Sequence, residues 1–148
     1  MFNKGDLMTN LLFVDDDMNL LRGLRRSLRD QPYFLHVANS ADQAMKLFKH
    51  RVFDVAVVDQ RLDHICGLEL LAWIRQHHPK TIRLMLTGHA NVHVAQDAIN
   101  RGGVFRFLTK PIRDVELAMA IREGLESREA ANENNDSQHS LTDHAVSP

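Results

Sequence analysis

Acidic, hydroxyl and amine side chains follow four apolar segments of this chain, each at the point where the segment ends. In chain order they are Asp15, Asp16, Asp17, Asp59, Thr87 and Lys110. Because the carboxyl ends of parallel strands form one edge of a sheet, where such folds hold their ligands, we expect these groups to lie together. Carboxylates bind divalent cations, and an amine neutralises phosphoryl oxygens. The pattern predicts one site for a divalent cation and a phosphoryl group.

The segments that carry these groups alternate between short apolar strands and amphipathic helices. The predicted strands cover about 11–14, 34–37, 55–58, 82–86 and 104–108. The predicted helices cover about 18–29, the segment from the N-cap Ser40 to His50, a segment opening at Gly67, about 91–100 and about 113–128. Asp17 is expected to cap the first helix. Five strand–helix units with apolar strands predict a doubly wound parallel α/β sheet.

Length and composition fit one globular domain, since the 148 residues are 44% apolar and 25% charged. The net charge of −1 gives no electrostatic reason to expect nucleic acid or an anionic membrane as a partner. Cys66 is the only cysteine, which excludes an internal disulfide and fits a reducing compartment. No segment has the apolar length of a signal peptide or a membrane span. We expect a cytoplasmic protein.

The regular pattern stops after Arg128. The 20 residues 129–148 contain no Lys or Arg, four acidic side chains and only five apolar ones. Such a composition buries too little surface to offset the entropy of ordering, so this segment is expected to be a disordered tail or a linker. The predicted organisation is an N-terminal extension (1–9), one domain (10–128) and the tail (129–148).

The chemical groups together resemble the receiver domain of two-component response regulators, the fold of the chemotaxis regulator. The resemblance covers about residues 10–128 and is carried by Asp15-Asp16, Asp59, Thr87-Gly88-His89-Ala90 and Lys110-Pro111. It implies a flavodoxin-like, five-stranded parallel sheet with five helices and the strand order 2-1-3-4-5. It also implies a signalling protein rather than an enzyme with a separate substrate, although the domain would catalyse its own phosphorylation and dephosphorylation.

The resemblance implies that Asp59 accepts a phosphoryl group from a phosphohistidine of a sensor histidine kinase or a histidine phosphotransfer protein. Mg²⁺ would be the cofactor, with Asp16, Asp59 and the Arg61 backbone carbonyl as ligands and Asp15 acting through water. Lys110 would neutralise the phosphoryl oxygens, and Lys110-Pro111 would be a cis peptide. Carboxylates packed without metal should repel each other, so at least one should have a raised pKa.

The resemblance also assigns a switch to Thr87 and Phe107. The Thr87 hydroxyl would move to bind the phosphoryl group, and the Phe107 ring would fill the vacated space. The altered face, formed by the fourth helix, fifth strand and fifth helix, would bind a downstream effector or a fused output domain.

Two features depart from the usual family pattern. The loop after Asp59 has Asp63 where the family usually has Pro, and Cys66 where it often has an acid. The positions that often tune the lifetime of the phosphoryl group are the bulky Arg61 and His89. Our hypothesis is that this pair shields the acyl phosphate from water and slows its loss.

Two surfaces are candidates for partner binding. The first helix carries a basic stripe of Arg22, Arg25, Arg26 and Arg29, which is either a solvated face or a docking surface for the histidine-bearing partner. The fifth helix has two apolar stripes, one ending in Leu125 and one containing Val115 and Met119. Core packing explains one stripe, and the other is open to a partner, including a second copy in a homodimer.

The chief rival interpretation is an enzyme, a Mg²⁺-dependent phosphatase resembling the haloacid dehalogenase family. Its Asp-x-Asp motif would be Asp15 and Asp17. This interpretation leaves Asp59 without a role, and Lys110 is followed only by isolated acids on a helix. Steady turnover of a phosphomonoester would favour the phosphatase, and a single phosphorylation at Asp59 would favour the receiver.

The output is not encoded in recognisable motifs. No helix-turn-helix, basic patch or catalytic domain follows the receiver-like segment, so nucleic-acid binding by this chain is not expected. The stretch 99–111 resembles receivers that precede cyclic-dinucleotide enzymes such as HD-GYP phosphodiesterases. A stand-alone regulator and a receiver cut from a longer protein both remain open.

Overall fold

Five parallel strands form one sheet in the order β2-β1-β3-β4-β5, which confirms the predicted fold. The computed structural model describes residues 8–62, 64–88 and 91–146, and only the backbone of 135–146. The strands are β1 (Thr9–Val14), β2 (Tyr33–Ala38), β3 (Val55–Asp59), β4 (Ile82–Thr87) and β5 (Arg106–Thr109). The helices are α1 (Met18–Ser27), α2 (Ala41–His50), α3 (Gly67–His77), α4 (Val92–Gly102) and α5 (Asp114–Val146).

The sheet separates two apolar cores, one on each face. Alternate side chains of β1 and β3 point to opposite faces, so Leu11 and Val55 join one core and Leu12 and Ala56 join the other. Side chains of α1 and α5 cover the first face, and those of α2, α3 and α4 cover the second. Every residue of β3 is buried. The central strand that ends in Asp59 is therefore held from both sides.

Side-chain caps fix where three of the helices begin. The Asp17 carboxylate accepts hydrogen bonds from the backbone N–H groups of Asn19 and Leu20, as predicted for the first helix. Ser40 accepts from the N–H of Gln43, which confirms it as the N-cap of α2. Asn91 caps α4 in the same way, through the N–H of Val94.

The carboxyl end of α4 is bound by two arginines from neighbouring elements. Arg75 of α3 donates to the Asn100 carbonyl at 2.8 Å, and Arg83 of β4 donates to the Gly102 carbonyl at 2.8 Å. Gly103 ends the helix with φ of 60°, and a Cβ there would lie 2.9 Å from the Arg83 guanidinium. Glycine is suited to this position because it adopts positive φ without strain and leaves room for the arginines.

The predicted end of the last helix at Arg128 is wrong, because α5 continues to Val146. The described part of the segment expected to be a disordered tail or a linker, residues 129–146, has helical backbone, and residues 147–148 lie outside the described residues. The side chains of 129–134 are all exposed, so the helix has no apolar face there. The segment contains no Gly and no Pro before Pro148, and Ala and Glu in 129–133 favour helix without burial, although the Asn, Asp, Ser and His residues that follow are weaker helix formers. Apolar periodicity alone could not reveal such a helix.

Arg128 ties α5 to the amino-terminal edge of the sheet. Its guanidinium lies 3.1 Å from the Asp54 carboxylate, whose other oxygen accepts a hydrogen bond from the Asn10 backbone N–H at 2.8 Å. Asp54 thus joins the starts of β1 and β3 to α5.

None of the described helices is long and apolar enough to cross a bilayer.

Candidate functional site

Three aspartates meet where β1 and β3 end. Asp15 follows β1 and is completely buried, Asp59 ends β3 and is 5% exposed, and Asp16 is exposed. Each offers a carboxylate oxygen, and these three oxygens lie within 4.8 Å of one another. The two strands are neighbours in the sheet, with Val14 opposite Val58, so the folding of β1 beside β3 produces this cluster.

Lys110 places its ammonium group against two of these carboxylates. Its Nζ lies 3.0 Å from Asp59 Oδ2 and 3.1 Å from Asp15 Oδ2. The residue follows β5, and its backbone N–H donates to the Thr87 carbonyl at 2.9 Å, which fixes its position beside the end of β4. The Lys110–Pro111 peptide is cis, as the family resemblance implied.

Burial and the neighbouring charges shift the pKa values of Asp15 and Lys110. Loss of hydration raises the pKa of Asp15, and the Asp59 charge adds to this effect, although the Asp17 N–H and Lys110 oppose it. The predicted raised pKa is thus found at Asp15. Burial would lower the pKa of Lys110, but its contacts with Asp59 and Asp15 outweigh burial and raise it. Lys110 remains an ammonium group at neutral pH.

The loop after Asp59 folds back on itself. The Arg61 N–H donates to Asp59 Oδ1 at 3.3 Å. The backbones of Arg61 and Cys66 form an isolated antiparallel β-bridge. Gly67 then passes so close to the strand end that a Cβ on it would lie 1.9 Å from the Asp59 carbonyl oxygen. Only glycine permits this approach, which lets α3 begin beside the phosphoryl-acceptor candidate.

Thr87 is completely buried at the end of β4, and its hydroxyl donates a hydrogen bond to Gln60 Oε1. Phe107 of β5 pairs with Met85, so its side chain lies on the same face of the sheet as that of Thr87. The Phe107 ring is half-buried and packs against the core on that face. The two residues assigned to the switch therefore share one face of neighbouring strands.

The residues present fit a hard divalent cation. The cluster supplies oxygen ligands only, which suits Mg²⁺. Asp15 Oδ2 is buried, and the Lys110 ammonium group lies 3.1 Å from it. Three carboxylates thus share one ammonium group, so a divalent cation beside them would neutralise the charge that Lys110 leaves.

An open cavity of about 330 Å³ lies over this cluster. Its walls include Asp16, Asp59, Arg61 and Lys110, together with Gln60 and Asn91, which the sequence did not single out as site residues. Gln60 could have been suspected as a site residue because it directly follows Asp59 in the sequence. A polar residue in a loop is most often simply solvated, so its position alone did not indicate a role in the site. His89 and Asp63 lie outside the described residues.

Comparison with known proteins identifies the family. Residues 11–122 match the family described as response regulator receiver domain. The chain belongs to this family. It is 36% identical over 124 residues to the alginate biosynthesis transcriptional regulatory protein AlgB of Pseudomonas putida, covering 84% of this chain and 28% of that protein. It is 34% identical to the transcriptional regulatory protein GlrR of Escherichia coli, covering 79% and 26%. The receiver thus spans about a quarter of these curated relatives.

Solved receiver structures have the same fold. The signal receiver domain of an HD domain-containing protein from Pseudomonas fluorescens superimposes with a TM-score of 0.79 at 36% identity, covering 83% of this receiver and 98% of that chain. NtrX from Brucella abortus superimposes with a TM-score of 0.81 at 28% identity, covering 88% and 30%.

The rival interpretation as a haloacid-dehalogenase-like phosphatase is not supported. The matched family is the receiver family. The structure gives the physical reason, because the Asp17 carboxylate required by that reading caps α1. Asp59, which the phosphatase would leave unused, belongs to the acidic cluster and contacts Lys110.

Proposed function

We propose that Asp59 accepts a phosphoryl group from a phosphohistidine of a sensor histidine kinase or a histidine phosphotransfer protein. The observation that carries this proposal is the Lys110 ammonium group, 3.0 Å from an Asp59 carboxylate that clusters with Asp15 and Asp16. Cationic and anionic groups side by side suit a reaction that joins two anions, because the ammonium group offsets their repulsion.

In the proposed transfer, an Asp59 carboxylate oxygen attacks phosphorus and forms an O–P bond. The P–N bond to the donor histidine breaks, its electron pair stays on the imidazole nitrogen, and that nitrogen takes a proton. The Arg61 N–H on Oδ1 and Lys110 on Oδ2 orient the Asp59 carboxylate before the reaction. Lys110 then neutralises the oxygens of the acyl phosphate.

Asp15, Asp16, Asp59 and the Arg61 backbone carbonyl would hold Mg²⁺. When bound, this cation neutralises charge on the phosphoryl oxygens. Asp15 is too deeply buried to approach a partner protein, so its role is confined to holding the cation, directly or through water. The receiver itself would catalyse both its phosphorylation and its dephosphorylation, with Arg61 and His89 shielding the acyl phosphate from water.

Phosphorylation would be read out through Thr87 and Phe107. Movement of the buried Thr87 hydroxyl toward the phosphoryl group empties space on the face that Phe107 shares. Burial of the ring is favourable because Phe carries no polar atom that must stay hydrated. The resulting population shift changes the surface of α4, β5 and α5.

That surface would bind a downstream effector, a fused output domain or a second receiver. Val92 and Ile99 on α4, Phe105 before β5, and Val115 and Met119 on α5 are exposed apolar side chains. The relatives named above are transcriptional regulators, and one neighbouring structure comes from an HD domain-containing protein. The output of this receiver is therefore proposed only as binding by this surface.

The basic stripe of α1 is proposed as the docking surface for the histidine-bearing partner.

Mass spectrometry after incubation with Mg²⁺ and acetyl phosphate tests the proposal. We expect one added phosphoryl group per chain, absent in Asp59→Ala and absent when the cation is chelated. Asp54→Ala is the matched control, because Asp54 directly precedes β3, at the end of the strand opposite Asp59, and should leave phosphorylation intact. Phosphorylation that persists in Asp59→Ala would exclude Asp59 as the acceptor.

A further inference from the structure

The Gln60 side chain holds the hydroxyl that the proposed switch must move. Thr87 Oγ1 donates to Gln60 Oε1 across the gap between the ends of β4 and β3. We infer that Gln60 is a positioning residue that retains Thr87 in the unphosphorylated arrangement and so opposes activation. This inference rests on the proposed function and assigns a role to a residue that the reaction itself does not use.

The backbone of Gln60 is fixed on both sides, so its side chain starts from a defined position. Its N–H donates to the Leu86 carbonyl at 2.8 Å, next to Thr87 in β4. Its carbonyl accepts from the Gly67 N–H at 2.9 Å, at the start of α3. Gln60 is also half-buried, which shields its amide from water. A bond between two positioned groups loses little entropy on forming, so it is retained in the resting protein.

Competition for one proton makes this bond part of the switch. A threonine hydroxyl has a single hydrogen, so the bond that it donates to the Gln60 amide must break before it can donate to a phosphoryl oxygen on Asp59. The phosphoryl group must therefore displace the amide as well as attract the hydroxyl. A net hydrogen bond between neutral groups corresponds to about twofold to tenfold in an equilibrium constant. Removal of the amide should favour the activated arrangement by that factor.

A purely structural role for Gln60 predicts a different result. If the side chain only filled space beside the site, replacing it would change stability, and any effect on ligand binding would not depend on the Thr87 hydroxyl. Gln60→Met keeps the length of the side chain and removes the amide. Thr87→Val keeps the shape of Thr87 and removes the hydroxyl. The double variant therefore separates the two explanations.

The experiment uses the full chain as wild type, Gln60→Met, Thr87→Val and the double variant. The probe is beryllofluoride with Mg²⁺, which occupies the place of a phosphoryl group on a carboxylate, and its apparent Kd is measured by titration. We expect Gln60→Met to bind about twofold to tenfold more tightly than wild type. In the Thr87→Val background the same substitution should have no effect. Gln43→Met is the matched control, because Gln43 of α2 also accepts a hydrogen bond through its side chain, from the Asn39 N–H, away from the site.

A second readout needs neither cation nor beryllofluoride. The ¹³C resonance of the Thr87 methyl group reports its side-chain rotamer, and in the metal-free protein we expect it to shift in Gln60→Met but not in Gln43→Met. Equal affinity of wild type and Gln60→Met, or equal tightening with and without the Thr87 hydroxyl, would overturn the inference. Failure of the wild type to take up beryllofluoride would instead overturn the proposed function, and with it the inference.

Discussion

Asp15 is a completely buried carboxylate in the site. Its pKa is raised mainly by loss of hydration, and Asp59 lies beside it. Lys110 is the one ammonium group that contacts it among the described residues. Ionised Asp15 therefore destabilises the fold as long as no cation neutralises it.

Asp15→Asn is expected to stabilise the metal-free protein at neutral pH, because it removes a buried charge and keeps the side-chain shape. A gain of about 1 kcal/mol in the free energy of unfolding would raise Tm by about 4 °C. The gain should shrink at high Mg²⁺, since the cation would bind the wild type more tightly than the variant and stabilise it more. Thermal unfolding with and without Mg²⁺ measures both effects.

Asp17→Asn is the control for Asp15→Asn. Asp17 is exposed and caps α1, and Asn caps helices as well as Asp does. This variant should show the wild-type response to Mg²⁺. A metal-free Asp15→Asn protein less stable than the wild type would show that Asp15 is not under strain.

His36 of β2 predicts a pH dependence that lies away from the acidic site. Burial, and then the charges of Arg51 and Arg25, lower its pKa from the ordinary value of 6.5. The unfolded chain therefore takes up this proton more readily than the folded protein does. The free energy of unfolding should fall as the pH drops below about 6.5, and His36→Gln should reduce that fall.

Urea unfolding at pH 7.5 and pH 5.5 measures the fall. The comparison uses the difference between the two pH values, because the substitution itself also changes stability. Some pH dependence should remain in His36→Gln, since burial also lowers the pKa of His78. His93→Gln, on the exposed surface of α4, is the control. An unchanged pH dependence in His36→Gln would contradict the prediction.

At the scale of single residues, the sequence predicted which groups converge but not how they are connected. Asp15, Asp59, Thr87 and Lys110 each end an apolar segment, and parallel strands bring such ends together. Gln60 was missed because its partner, Thr87, is 27 residues away and only the pairing of β3 with β4 brings them into contact. A side-chain hydrogen bond of this kind has no periodic signal.

At the scale of elements, the start of α3 depends on one glycine. A Cβ at position 67 would overlap the Asp59 carbonyl oxygen, so Gly67→Ala must shift either the strand end or the helix. We expect this variant to lose about 2 kcal/mol or more in the free energy of unfolding, and to bind Mg²⁺ more weakly because Asp59 moves. Urea unfolding and a Mg²⁺ titration measure the two effects.

Gly23→Ala is the matched control for Gly67→Ala. Gly23 lies inside α1, and a Cβ there meets no atom within 4 Å. Because alanine is the better helix former, this variant should gain about 0.5–1 kcal/mol. A Gly67→Ala protein as stable as wild type would mean that the loop adjusts without cost.

Elements with a buried apolar face could be predicted from the sequence, whereas the exposed end of α5 could not. The strands and the starts of α1 and α2 follow from apolar periodicity and capping residues, and each lies within two residues of its prediction. The helical part of 129–146 could not be predicted in this way, because its exposed side chains give no such pattern.

At the scale of the whole molecule, Arg128 connects the last helix to the edge of the sheet opposite the site. The Arg128 and Asp54 side chains are 25% and 28% exposed, so their ion pair is partly shielded from solvent. Arg128→Met should lower the free energy of unfolding by about 1–2 kcal/mol, because the Asp54 carboxylate loses its partner. Denaturant unfolding measures the loss.

Arg106→Met serves as the comparison for Arg128→Met. Arg106 and Glu123 are 2.6 Å apart, but their side chains are 47% and 37% exposed. Breaking such a surface pair should cost less than about 1 kcal/mol. Equal losses in the two variants would mean that burial of the Arg128 pair adds nothing.

The two arginines on the carboxyl end of α4 have a consequence for the direction of signal transmission. Arg75 and Arg83 hold the carbonyl groups at that end, whereas the first half of the helix has no fully buried side chain. A disturbance at Thr87 would therefore swing the amino end of α4 about an anchored pivot. A partner that binds α4 near Asn91 would therefore contact a surface that moves strongly on phosphorylation. A partner that binds near Gly102 would contact a surface that hardly moves.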